Sequence, residues 1–269
     1  MQLSQAQLAQ FDRDGFLRFD SLFNDDEVAA MKAGIGRIGN VASDAIYRER
    51  NGSLRTIFRA HDPKCETYSP VMERLTRTPR LLGPAKQVLR DDEVYVYHTK
   101  SNIKTAVDGT VWLWHQDYGY WQNDGVPTDN MVTSLVMLDE ATEMGGCLYF
   151  VPGSHKRGVL PAFLDETTTS YGQRTIEKEP LREFLRANPN AIPIAGPPGT
   201  SVLFHCNIVH SSGHNLSPND RWHMYVAYNP CKNRPNPIPE KPRAEWVVST
   251  DYAPLRMLED DSILEPVHA

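Results

Sequence analysis

The chain has 269 residues, 40% of them hydrophobic and 23% charged, with a net charge of −6 and a pI of about 5.8. That is enough apolar material to build a core, which excludes global disorder. The acidic balance also argues against nucleic acid or an anionic membrane surface as a partner.

In chain order, Ser4 caps a short helix through Phe11, and Asn24 with Asp25, Asp26 and Glu27 supplies an N-cap and an acidic first turn for a second. Val28, Met31 and Ile35 then recur at helical spacing, and Pro79 opens a further helix over LLGPAKQVL, with Gly83 and Pro84 as breakers in its middle. From Glu93 the texture changes to strands: EVYVYHTKSNIK, MVTSLVML, CLYFV, TSVLFHCNIVH and RWHMYVAYN. Turn signals at Asp108-Gly109, Gly145-Gly146, Pro152-Gly153 and Gly196-Pro197-Pro198-Gly199 separate them. Short strands without alternating helices predict a mainly β fold with flanking helices, an antiparallel sandwich or jelly-roll barrel. Residues 160–192 form a polar insertion with a helix near EKEPLREFLRAN, and the proline-rich stretch 229–243 reads as an extended tail. The expectation is one domain: a helical part over about 1–92, a barrel core over about 93–230 and a tail over 231–269. Four scattered cysteines (Cys65, Cys147, Cys206, Cys231) make neither a disulfide framework nor a zinc knuckle. The N-terminus lacks a secretory pattern, and no apolar run approaches the roughly 20 residues of a bilayer span. A cytoplasmic protein is therefore expected.

The chemistry gathers in VWLWHQDYGYW, residues 111–121, where His115 and Asp117 interrupt an aromatic run. On a strand, positions i and i+2 share a face, so imidazole and carboxylate converge. His210, at the end of TSVLFHCNIVH, is the best third ligand among nine histidines. Two histidines and a carboxylate form the facial triad of non-haem Fe(II) oxygenases, and the same set can hold catalytic zinc. Arg221 begins the next strand; in a hairpin it points into the barrel beside the metal, where a guanidinium clamps a carboxylate with two prongs. An organic diacid chelating the metal through its other end would need such a clamp.

HxD, then His, then Arg eleven positions later resembles the phytanoyl-CoA dioxygenase superfamily of Fe(II)/2-oxoglutarate oxygenases, closest to its ectoine hydroxylase-like branch. The similar stretches are LRTIFRAHD, WHQDYGYWQNDGVP, GGCLYFVPGSHK, GPPGTSVLFHCNIVHSSGHNLSP and RWHMYVAYNP, in the expected order. The resemblance implies a double-stranded β-helix (a cupin-like jelly roll) and an enzyme that uses Fe(II), 2-oxoglutarate and O2 and releases succinate and CO2 as it hydroxylates an aliphatic C–H. It implies His115, Asp117 and His210 as iron ligands, and Arg221, Ser212, Ser134, Asn102 and Trp112 around the cosubstrate. Trp121, Phe204 and Tyr225 match an aromatic enclosure suited to a compact cationic ring.

Two departures bear on the substrate. Where ectoine hydroxylases read Gln-x-Arg-x-Asn, this chain has His98-Thr99-Lys100-Ser101-Asn102, and Lys100 holds a carboxylate only as a point charge. Their DFETW is DYGYW here, so Gly119 replaces a glutamate beside the pocket and Tyr118 and Tyr120 flank it. The expected partner is a small polar molecule, an amino acid or an amino-acid-derived ring, bound by a monomer or homodimer. A larger natural-product scaffold, a non-catalytic binding barrel and a zinc hydrolase are the alternatives. Asp117 counts against halogenation. Arg55 and Arg59 flank LRTIFRAHD as a cap over the site or as structural ion pairs. His155 anchors a loop, His214 lies near the triad on a loop, and His205 and His223 point outward.

Overall fold

The computed structural model describes residues 1–170, 172–238 and 243–264. Helix α1 (Gln5–Asp14) and strand β1 (Phe16–Phe19) are followed by α2 (Asp25–Ile38), β2 (Ile46–Arg48), β3 (Leu54–Phe58), α3 (Pro70–Arg77) and α4 (Pro79–Leu89). Capping boxes at Ser4/Gln7 and Asn24/Glu27 start α1 and α2, each side chain accepting from the other's backbone N–H. The part expected to be helical thus also contains three strands, and all three join the large sheet. Next come β4 (Val94–Lys104), β5 (Trp112–His115), α5 (Tyr118–Trp121), β6 (Val132–Met137), β7 (Leu148–Phe150), β8 (Ala162–Asp165), β9 (Gln173–Ile176), α6 (Lys178–Ala187), β10 (Ile192–Ile194), β11 (Ser201–His205), β12 (His210–Ser212) and β13 (Arg221–Pro230).

The sequence alternation of β4, β6, β11 and β13 sends one set of side chains to each face. The seven-stranded sheet runs β1-β11-β6-β13-β4-β3-β2 and the four-stranded sheet β10-β7-β12-β5, with the observed pairings antiparallel. On the outer face of the large sheet, Val136, Leu203, Met224 and Val226 pack against Met31, Ile35, Leu75 and Leu82 of the helices. Between the sheets, Leu135, Met137, Phe150, Phe204 and Tyr225 form the sandwich core. Helices on the outside of two facing antiparallel sheets are the jelly roll that the sequence predicts. The insertion is a separate hairpin, β8 against β9, followed by α6. The described part of the tail has no helix or strand beyond a short 3-10 turn at Cys231–Asn233.

Candidate active site

His115 ends β5 and His210 begins β12, and the two are register partners across the smaller sheet, with ring centroids 4.1 Å apart. Asp117 does not continue the strand, as the sequence suggested. Its backbone is helical and starts α5, with its carbonyl accepting from the N–H groups of Tyr120 and Trp121. The turn, rather than strand alternation, brings its carboxylate to within 3.8 Å of His115 Nε2. One ligand atom from each of the three lies within 4.8 Å of the others, and all three residues are buried; among the described residues no other trio of His, Cys, Asp or Glu does this.

The imidazoles are oriented by their own strands. His115 Nδ1–H donates to Leu113 O at 2.6 Å, and His210 Nδ1–H donates to Ile208 O at 2.9 Å. A carbonyl only accepts, so each ring keeps its proton on Nδ1 and presents the Nε2 lone pair. This is how ligating histidines are held by their outer hydrogen bonds. Burial, with His210 adding to it, pushes the His115 pKa down to about 3, and burial lowers that of His210. Burial alone would raise Asp117, but Lys100, His210 and His115 together hold it below the usual carboxylate range. Its closest cation is Lys100 Nζ at 3.9 Å. A buried carboxylate so loosely paired costs several kcal/mol unless a positive charge joins it. The N, N, O donor set fits a divalent iron or zinc ion.

Two cavities meet at this cluster. His115, Asp117, Lys100 and Trp112 line both. The narrow one continues past Asn102, Ser212, Phe204 and Tyr225. Beside it, Arg221 is 1% exposed: Nη1 donates to His223 Nδ1 at 2.8 Å, Nη2 to Gly146 O at 3.3 Å, and buried Nε has no partner. Its register partner Lys104, also 1% exposed, donates through Nζ to Ser212 Oγ at 2.8 Å and to Gly213 O. Burial lowers the pKa of both, and Arg221 adds to the effect on Lys104. Neither forms an ion pair among the described residues. Two adjacent buried basic groups without an acid are the kind of pair that an anionic carboxylate could satisfy.

The wide cavity, about 450 Å³, is lined by His98, Phe58, Tyr47, Tyr120, Trp121, Asp124, Leu164, Arg174, Arg243 and Val247, among others. His98 Nδ1–H donates to Val247 O at 3.0 Å, leaving Nε2 buried as an unpartnered acceptor. Burial, then Lys100, pushes its pKa down to about 3.

A profile described as Phytanoyl-CoA dioxygenase (PhyH) matches residues 11–222. The chain belongs to the phytanoyl-CoA dioxygenase family. It is 32% identical over 279 residues to an ectoine dioxygenase of Bordetella bronchiseptica, covering 98% of this chain and 88% of the relative. It is 28% identical to an L-proline trans-4-hydroxylase of Streptomyces griseoviridis, over 94% of this chain and 96% of that one. The crystal structure of EctD from S. alaskensis with 2-oxoglutarate and 5-hydroxyectoine superposes with a TM-score of 0.81 at 31% identity, covering 95% of this chain and 87% of that one.

Several expectations for this family member are corrected. Ser134 pairs with Val226 and Leu203, on the face turned to the helices, so β6 alternation takes it away from the cosubstrate side. Arg55 lines neither cavity. It is 2% exposed and bonded to Glu49, Thr110 and Val111 O, with its guanidinium 4.7 Å from the Trp112 ring centre. Its buried charge is met by Glu49, which makes it a structural ion pair. Tyr118 turns its hydroxyl to Val126 O at 3.1 Å, and Tyr120 lines the wide cavity instead. Phe204 and Tyr225 line the narrow cavity rather than the wide one; Trp121 is in the wide one. His223 is fully buried against Arg221, not outward. His155 packs against His205 with ring centroids 5.2 Å apart and the rings tilted by 46°.

Lys104, Arg174 and Arg243 were not foreseen, and Tyr120, expected only as a neighbour of Gly119, lines the wide cavity. For Lys104 the signal was present: His98, Lys100, Asn102 and Lys104 alternate on one face of β4. Arg243 comes from the proline-rich tail and bonds Asp124 through Nε at 2.9 Å, with no periodicity to announce it.

Proposed function

We propose that this chain is an Fe(II)- and 2-oxoglutarate-dependent dioxygenase that hydroxylates an aliphatic C–H of a small amino-acid-derived substrate. The observation that carries this reading is the junction itself. Two neutral imidazoles with free Nε2 and a buried carboxylate stand between a cavity flanked by Arg221 and Lys104 and a wider aromatic one. His115, Asp117 and His210 would hold the iron, leaving coordination positions open. Iron and 2-oxoglutarate supply the oxidising chemistry: O2 and 2-oxoglutarate become succinate and CO2, and one oxygen atom is delivered to the substrate C–H.

The protein's part is placement. Arg221 and Lys104 hold the distal carboxylate of the cosubstrate, with Ser212 and Asn102 beside it and Trp112 as a wall. In the wide cavity, Lys100 receives a substrate carboxylate and His98 Nε2 accepts from a neighbouring N–H, while Trp121 and Phe58 exclude water. A cationic and an accepting group on one strand suit the amino and carboxylate ends of an amino or imino acid. Ectoine itself is disfavoured, because a lysine replaces the planar fork of the ectoine hydroxylase pattern. Helices, barrel and tail act as one catalytic unit, since tail residues Arg243 and Val247 complete the wide cavity. A monomer or homodimer in the cytoplasm, where the four unpaired thiols stay reduced, fits the same reading.

Anaerobic addition of Fe(II) and 2-oxoglutarate should give a visible charge-transfer band that His115→Ala lacks. O2 should then yield succinate and a product heavier by about 16 mass units. A wild-type protein without the band would sink the proposal.

A further inference from the structure

Arg174 lies on β9 opposite Leu164 of β8, and both side chains line the wide cavity. Its backbone N–H donates to the Tyr120 hydroxyl, so the main chain fixes the hairpin to α5. The guanidinium itself has little to bind. Nη2 reaches Ala162 O at 3.4 Å, and Nε is buried without a hydrogen-bond partner. Among the described residues Arg174 enters no ion pair, whereas Arg243 of the same cavity is paired to Asp124 through two nitrogens.

The charges lining the cavity therefore do not balance. Lys100, Arg174 and Arg243 face Asp117 and Asp124. Asp124 is taken by Arg243 and by the Tyr97 hydroxyl at 2.7 Å, and Asp117 belongs to the metal cluster. Lys100 reaches only that cluster carboxylate, at 3.9 Å, and Arg174, on the hairpin, has no acid among the described residues. The remaining lining includes Tyr47, Phe58, Trp121 and Val247, an apolar and aromatic surface. Partly buried cations in such a setting are stabilised by an anion that arrives with the ligand.

We infer that Arg174 is a specificity-determining residue and that the substrate carries two anionic groups, one for Lys100 and a second for Arg174, joined by an aliphatic or ring body. This rests on the iron site proposed above. The second group is a carboxylate or a phosphate, since a guanidinium grips both through the same fork.

The test uses the anaerobic Fe(II)·2-oxoglutarate holoenzyme and follows the charge-transfer band as ligands are added. The ligand pairs are L-glutamate against L-glutamine and O-phospho-L-serine against L-serine. The charged member of at least one pair should perturb the band at about tenfold lower concentration in the wild type, and which pair responds separates carboxylate from phosphate. Arg174→Gln should bring that preference to within about twofold, Arg174→Lys should retain part of it, and the 2-oxoglutarate requirement should stay unchanged in both. Tryptophan quenching in metal-free protein, reporting Trp112 and Trp121, should show the same order. An unchanged preference in Arg174→Gln, or none in the wild type, overturns the assignment of Arg174. Absence of the band in every protein instead overturns the iron site, and quenching then still reads the ligand preference.

Discussion

The two cavities that meet at His115 and Asp117 are built in different ways. The narrow one is a product of sheet register. Arg221 faces Lys104, His223 faces Asn102, and His210 faces His115, so its groups are fixed by backbone pairing across β4, β13, β12 and β5. The wide one takes its floor from β4 but its rim from the β8–β9 hairpin, the short α5 and the tail, through Arg174, Tyr120 and Arg243. One half is rigid scaffold and the other is made from connections, which are the parts of a fold most open to variation. Cosubstrate binding should therefore follow the strands, and substrate choice the connections.

That division can be broken by substitution. The largest effect is expected at the shared wall, where His115→Ala should abolish both the charge-transfer band and succinate formation. On the narrow side, Arg221→Met removes a charged clamp worth about 1.5–3 kcal/mol, so the KM for 2-oxoglutarate should rise roughly 10- to 100-fold. The KM for the primary substrate should hardly move in that variant. His98→Phe should do the reverse, raising the substrate KM by about tenfold through loss of one acceptor while the KM for 2-oxoglutarate stays put. If either variant shifts both constants equally, the two cavities are not independent. The smallest effect is remote from both: Asn24→Ala removes the α2 cap and should cost about 1 kcal/mol, seen as ~2–4 °C in Tm with kinetics unchanged.

What could be read from the amino-acid sequence follows the same line. Strand periodicity and turn residues gave the barrel, and the meeting of His115 with His210 and of Arg221 with the β4 side chains was legible because register is encoded in alternation. Ser134 was misplaced for the same reason, since one step along β6 exchanges the cavity face for the helix face. Lys104 obeyed the pattern and was overlooked within it, and His223 obeyed it but was assigned to the wrong face. Arg174, Tyr120 and Arg243 had no pattern to obey: a hairpin, a one-turn helix and a proline-rich tail carry no periodicity that says where they will fold back. Asp117 is intermediate: its carboxylate does reach the two histidines, but through the turn into α5 that follows His115 and not through strand geometry.

The carbonyls of Leu113 and Ile208, which hold the two imidazoles, have a consequence for divergence. They are main-chain atoms, and no point substitution deletes them. A lineage could exchange nearly every side chain around the pocket, acquiring new substrates as it did so, without loosening the two rings. Novelty in such a protein would be cheap at the entrance and scarce at the hearth.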